Sequence, residues 1–253
     1  MRSIVLSLVL LALLPACAFA AKARQAAPPL RADTPTCRTG VTPAERFAVF
    51  SASMPARSGA ARMAMRFDLQ LREPSDSRYR GQKAPSFGRW ERSKTGRRGF
   101  IYSKRVDGLT APATYRAIVR YRWYDGAGKV IASAHRTTPL CGQPDPRPNL
   151  RLLTARITSV SGGTATYLLT VVNSGRGPAG AFDVAVGPDD GGTATTMTVG
   201  GMAAREARVI EVTARPCSET SRLRVQLDVG AAVTESVELD NDVGRACPAV
   251  GAS

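Results

Sequence analysis

Histidine is nearly missing from this chain: His135 is the single one in 253 residues. With no Cys-x-x-Cys pair and no Cys/His cluster, a zinc site has nothing to be built from. No serine sits in a nucleophile elbow or a similar motif, so a Ser-His-Asp hydrolase lacks its usual sequence context. Aromatic residues make up only 6% of the chain. Long helical periodicities are also lacking, which turns the fold class toward β structure. No phosphate loop is present either. The glycine cluster Gly187–Gly192 holds Asp189 and Asp190, which repel phosphate, and no Gly-Lys-Ser/Thr follows it. Beyond the first residues no apolar run approaches the roughly 20 residues of a membrane helix.

The N-terminus carries the first positive signal. Met1-Arg2 is followed by an apolar stretch, Ile4 to Leu14, and then by Ala18-Phe19-Ala20. A charged start, a short apolar core and a small-x-small site make residues 1–20 a signal peptide. Processing at Ala21 is expected, with Leu14-Pro15-Ala16-Cys17 as a rival, lipobox-like site that would leave a lipoprotein anchored through Cys17. About 230 residues then remain, without a transmembrane segment, secreted or associated with the cell envelope. Of five cysteines, Cys37, Cys141, Cys217 and Cys247 lie beyond the signal. An even count in an exported chain reads as a disulfide framework. Three pairings are possible. Cys37–Cys141 with Cys217–Cys247 keeps each bond inside one folded unit and is the expected one.

Charge divides the chain in two. Residues 21–147 hold 25 Lys+Arg against 9 Asp+Glu, whereas residues 148–253 hold 9 against 11. Arginine dominates, with 30 Arg to 5 Lys, and its planar fork suits carboxylates and phosphates. Residues 21–35 are polar and Ala/Pro-rich and read as a flexible lead-in. The run Gln143-Pro-Asp-Pro-Arg-Pro148 reads as a stiff extended linker. The expected units are therefore a basic domain over 36–142 and a second domain over 149–248, followed by a tail at 249–253.

In the first unit, Arg62–Arg72 and Tyr115–Tyr124 both alternate strictly, with apolar side chains at the odd positions. Each reads as a half-buried strand. Phe100–Val106 is a third candidate strand, and Asp125-Gly-Ala-Gly128 is a hairpin turn leading to a return strand over Lys129–Ala134. The second unit shows seven short runs, at about 150–159, 165–173, 181–186, 193–199, 205–213, 222–229 and 232–239, separated by turn signals. The expected fold class is all-β, two Ig-like or fibronectin-like antiparallel β-sandwich domains.

Four segments of the second unit carry a family resemblance: Pro148-Asn-Leu150, Tyr167–Gly177 with its Asn-Ser-Gly-Arg-Gly turn followed by Ala179 and Phe182, Val225-Gln-Leu-Asp-Val229, and Glu235-Ser-Val-Glu-Leu-Asp-Asn-Asp242. On these residues the second unit resembles CARDB, the bacterial cell-adhesion-related, immunoglobulin-like domain family. Asn173 is expected to close a turn while Gly175 and Gly177 supply positive φ. The resemblance implies an adhesion or display module, with no shared substrate. The first unit is similar, more weakly, to fibronectin type III domains. Leu109-Thr-Ala-Pro112 followed by Tyr115 resembles a tyrosine corner.

The strongest functional signal is basic. Arg116, Arg120 and Arg122 project from one strand face, Arg97 and Arg98 lie in a turn near Lys94, and Tyr79, Trp90, Tyr102 and Tyr124 supply aromatics. The five arginines, Arg97, Arg98, Arg116, Arg120 and Arg122, are the candidate anion-binding residues. No catalytic or metal residue and no cofactor is assigned. Glu235, Glu238, Asp240, Asn241 and Asp242 have oxygens suited to calcium, but their order is not an EF-hand loop and a hydrogen-bonded turn is the simpler expectation. The expected function is non-enzymatic: an exported binding or adhesion-type protein whose basic unit contacts an anionic cell-envelope polymer or an acidic protein surface. Nucleic acid is not an expected physiological partner in that compartment. A structural display module for protein–protein contact, without polyanion binding, is the alternative. An unrecognised envelope hydrolase is the second alternative.

Overall fold

The computed structural model describes residues 26–250; the expected signal peptide over 1–20 with Cys17, the start of the expected lead-in and the last three residues lie outside the described residues. Nine strands form the first unit: β1 (Arg31–Arg38), β2 (Phe47–Pro55), β3 (Arg62–Arg72), β4 (Arg80–Gly81), β5 (Trp90–Arg92), β6 (Gly99–Asp107), β7 (Ala113–Tyr124), β8 (Val130–Thr137) and β9 (Cys141–Gln143). One sheet has the order β1-β2-β6 and the other β4-β3-β7-β8, with β5 also on β3 and β9 also on β7. Every pairing is antiparallel.

The alternation in β3 and β7 becomes the core. Met63, Met65, Phe67, Leu69 and Leu71 point inward beside Tyr115, Ala117, Val119, Tyr121 and Trp123, and meet Ala48, Phe50, Ala52 and Met54 of β2. The two large polar-tipped aromatics anchor the opposite sheet. Tyr121 Oη donates to Arg31 O at 2.7 Å, and Trp123 Nε1 donates to Pro55 O at 2.8 Å. Burying a Tyr or Trp is tolerable only when its polar tip finds such a partner. Burial pushes the Tyr121 phenol up to about 12. The tyrosine corner is present: Tyr115 Oη accepts from Thr110 N at 2.9 Å and lies 3.2 Å from Thr110 O.

The lead-in is shorter than expected. Arg31–Pro35 already belongs to β1, an edge strand paired to β2 with a register shift between Asp33 and Thr36. Pro35 sits in that irregularity, where a missing N–H costs no ladder bond. Cys37 bonds Cys141 of β9, tying this edge to the opposite sheet.

The second unit contains β10 (Leu150–Ser161), β11 (Thr164–Asn173), β12 (Phe182–Pro188), β13 (Thr195–Val199), β14 (Ala207–Ala214), β15 (Leu223–Leu227) and β16 (Asp242–Arg245). The sheets β10-β11-β14 and β13-β12-β15-β16 enclose Leu150, Tyr167, Leu169, Val171, Phe182, Val184, Val186, Val225 and Leu227. Six of the seven expected runs are strands. The seventh, 232–239, is a turn segment, and the last strand is β16. Cys217–Cys247 closes this unit. The whole is all-β, as expected, in two antiparallel sandwiches with separate cores. Among the described residues no helix is long and apolar enough to cross a membrane.

The linker is not a free spacer. Asn149 N donates to Asn173 Oδ1 at 3.1 Å, Ser174 N to Asn149 O at 2.6 Å, Arg176 N to Arg147 O at 3.1 Å and Ser236 N to Pro148 O at 2.9 Å. Gly175 and Gly177 do not have positive φ. Their role is close approach: a Cβ on Gly175 would lie 2.4 Å from Pro148 Cα, and one on Gly177 2.4 Å from Pro146 O. The resemblance-bearing segments at 148–150, 173–177 and 235–242 are thus one hydrogen-bonded knot.

The basic outer face as candidate functional site

Because β7 buries its odd positions, its even positions face out with the even positions of β3. Register aligns them in rows. Trp90 of β5, Arg66 of β3, Arg120 of β7 and His135 of β8 are successive cross-strand partners; Arg92, Ala64, Arg122 and Ser133 form the next row. With strands about 4.8 Å apart, a row of four spans roughly 14 Å.

Within this face Asp68 is shared by two arginines, accepting from Arg66 Nε at 2.7 Å and Arg120 Nε at 2.9 Å. Arg116 donates to the neutral Gln70 Oε1 at 2.9 Å and stacks 3.8 Å over Tyr79. Arg122 stacks 4.4 Å over Trp90. Among the described residues no carboxylate lies within ion-pair distance of Arg116 or Arg122. Of these four arginines only Arg66 and Arg120 have a carboxylate partner, the shared Asp68, on a surface stiffened by the ladder. A cleft of about 500 Å³ opens on it, lined by Trp90, Arg120, Arg122, Ser133 and His135.

The structure brings Arg116, Arg120 and Arg122 onto one face, with Tyr79 and Trp90. Tyr124, the last even position of β7 opposite Arg62, lies half-buried at the end of the same face; the remaining candidates are not gathered there. Arg97 and Arg98 are exposed in the turn before β6, where Arg98 O accepts from Ala56 N at 2.8 Å. Tyr102 belongs to β6 in the other sheet, tilted against Phe100. Arg66 is a member that sequence reasoning passed over, although its even position in the 62–72 alternation marks it as outward-facing.

The acidic turn at 235–242 spends most of its oxygens internally, while Asp240 Oδ1 and Asn241 Oδ1 are buried without a hydrogen-bond partner among the described residues. Glu235 accepts from Leu150 N and, at 2.8 Å, from Asn241 Nδ2. Glu238 accepts from Glu235 N, Asp240 from Asn149 Nδ2, and Asp242 forms an ion pair with Arg224. Burial pushes the Glu235 carboxyl up, against the lowering by its hydrogen bonds, while hydrogen bonding from Arg224 holds Asp242 below the usual carboxylate range. Among the described residues no three metal-ligating side chains converge.

The two units are thus a basic sandwich with an open charged face and a second sandwich whose acidic turn is largely spent on its own hydrogen bonds. Residues 148–245 match the CARDB family model, in agreement with the resemblance carried by the knot residues. No curated protein matches the chain. Among solved structures, the chain is similar to red sea bream transglutaminase at 11% identity with a TM-score of 0.32, over 79% of this chain and 29% of that one. The chain thus spans under a third of that protein, and a likeness this weak carries no argument.

Proposed function

We propose that this chain is an exported, non-enzymatic binding protein in which an adhesion-type CARDB module accompanies a basic sandwich that holds anionic envelope polymers or acidic protein surfaces. One observation supports the reading above others: Arg66, Arg116, Arg120 and Arg122 lie on one rigid sheet face where Asp68 pairs with Arg66 and Arg120 and, among the described residues, no carboxylate pairs with Arg116 or Arg122. Such a face attracts polyanions, speeds encounter and releases them as salt rises. The two disulfides fit an oxidising compartment.

The test is retention of the full processed chain on immobilised polyanions across a salt gradient. Replacing Arg116, Arg120 and Arg122 with Ser should move elution to clearly lower salt. Replacing the exposed Arg38, Arg78 and Arg136 removes equal charge elsewhere and should move it less. Equal shifts would mean that net charge alone acts and no site exists. Absence of retention at low salt would leave the display-module reading in its place.

A further inference from the structure

We infer that the cleft beside Trp90 is a subsite for an acidic sugar unit, a pyranose bearing a carboxylate or sulfate within a polysaccharide; this rests on the polyanion reading above. A cation-lined face alone needs no aromatic. Here the half-buried Trp90 indole lies under the Arg122 guanidinium at 4.4 Å, and both line one cleft with Arg120, Ser133 and His135. The combination places an apolar ring edge, two planar cations and the hydrogen-bonding side chains of Ser133 and His135 around one volume of about 500 Å³, within the range of small-molecule sites. An acidic pyranose presents the matching parts. Its C–H face packs on an aromatic, its hydroxyls meet Ser and His, and its carboxylate or sulfate meets an Arg fork. Asp68 holds Arg120 from the side at 2.9 Å, which fixes the guanidinium without filling the cleft.

The same geometry disfavours single-stranded nucleic acid. Stacked bases need successive open aromatic platforms. Of the other aromatics on this face, Tyr79 has Arg116 at 3.8 Å and Arg72 at 5.3 Å from its ring, and the half-buried Tyr124 lines a separate, smaller cleft with Arg62 and Arg92. A polypeptide polyanion supplies charge but no ring to use Trp90.

The test uses the full processed chain, with oligogalacturonate, dextran sulfate, neutral dextran, polyglutamate and single-stranded DNA as probes. Trp123 is fully buried, so a ligand-induced change in tryptophan emission or in iodide quenching reports Trp90. Expected is a Trp90 response to one or both acidic sugars and none to neutral dextran or polyglutamate. Trp90→Ala should weaken binding of the responding sugar about tenfold, the scale of one lost stacking contact, and leave polyglutamate binding nearly unchanged; Trp90→Phe should retain most of it. Should Trp90→Ala fail to fold, the quenching measurement on the unaltered protein and Arg122→Gln carry the test. Which sugar responds separates carboxylate from sulfate. Polyanion binding with no Trp90 response to either sugar would overturn the subsite and leave the basic-face reading standing. A Trp90 response to DNA with equal loss in Trp90→Ala would overturn the sugar assignment. Failure of every polyanion to bind would remove both.

Discussion

Placing one methyl group at Gly175 tests whether the proline segment is seated on the second sandwich. A Cβ there would lie 2.4 Å from both Pro148 C and Pro148 Cα and 2.5 Å from Arg147 O. These are backbone atoms, so no side-chain rotation relieves them; the linker must lift, and the Asn149–Asn173 and Arg147–Arg176 hydrogen bonds stretch with it. Overpacking of this kind costs about 1–3 kcal/mol. Gly180 is the internal control, because a Cβ there meets nothing within 4 Å and its φ is not positive. Gly180→Ala should be neutral or stabilise by about 0.4–1 kcal/mol through the unfolded chain. In a unit of about 100 residues each kcal/mol moves the midpoint by about 4–8 °C. Gly175→Ala should therefore melt roughly 4–24 °C lower than the parent in calorimetry. The chain's two tryptophans, Trp90 and Trp123, are both in the first unit. Tryptophan emission thus follows that unit, while the calorimetric transition that falls should belong to the second. Proteinase K should leave 143–148 intact in the parent and cut it in Gly175→Ala. If Gly175→Ala and Gly180→Ala melt together, the close approach is not what those glycines are for.

Three further outcomes follow from named contacts. The buried Glu235 has its carboxyl raised, so its charged form costs folding stability at neutral pH; that cost is relieved as pH falls through the raised folded value toward the unfolded one. Glu235→Gln should be nearly neutral at pH 7 and lack that relief in a thermal scan against pH, whereas Glu235→Ala should cost about 1–3 kcal/mol by stranding Leu150 N–H. Tyr115→Phe should lower first-unit stability by roughly 1 kcal/mol, read by tryptophan emission in urea, because Thr110 N loses its acceptor; no change would remove the corner from the stability account. Non-reducing peptide mapping should return Cys37–Cys141 and Cys217–Cys247. Opening the first, with a sequence separation of 104, should cost about 4–5 kcal/mol on the chain-entropy account, measured by urea melts of the double-serine variant.

The strands that alternate large apolar residues were legible. β3 and β7 bury the odd positions read from the sequence because their side chains differ sharply in size and polarity between faces. β2 escaped because its buried positions include Ala48 and Ala52, and alanine gives little contrast. β1 escaped for another reason. RADTPTCR has no periodicity of its own, and it is held as a strand by pairing with β2, by the disulfide and by the Tyr121 hydroxyl. Those are long-range contacts that local pattern does not encode. The linker misled similarly: three prolines forbid a helix, but the partners that seat them come from 173–177 and 236. On the candidate face, strand parity placed Arg116, Arg120 and Arg122 correctly. The second strand of the face, and hence Arg66 and Asp68, needed the register between β3 and β7. The turn arginines Arg97 and Arg98 were grouped by charge alone, which says nothing of where a turn lies.

The outer face also bears on why so much positive charge is kept where it stabilises little. In the second unit Arg151, Arg208, Arg215 and Arg224 each have a carboxylate partner. In the first, Arg66 and Arg120 are direct cross-strand neighbours, an arrangement that is destabilising between like charges, and only Asp68 relieves it. Stacking of Arg122 on Trp90 and Arg116 on Tyr79 returns roughly 0.5–1 kcal/mol each at exposed sites. Repulsion across strands costs about 0.2–1 kcal/mol per pair. The terms nearly cancel, so removing these arginines should change stability little. The Arg116, Arg120, Arg122 to Ser variant should lie within about 1 kcal/mol of the parent in urea. It should also gain less from added salt, because screening has less repulsion to relieve. Measured beside polyanion retention, this separates the two roles. Retention lost at unchanged stability assigns the charge to binding. A loss of more than about 2 kcal/mol, beyond what the stacking and repulsion terms allow, would make the arginines part of the fold and refute the argument for a binding face.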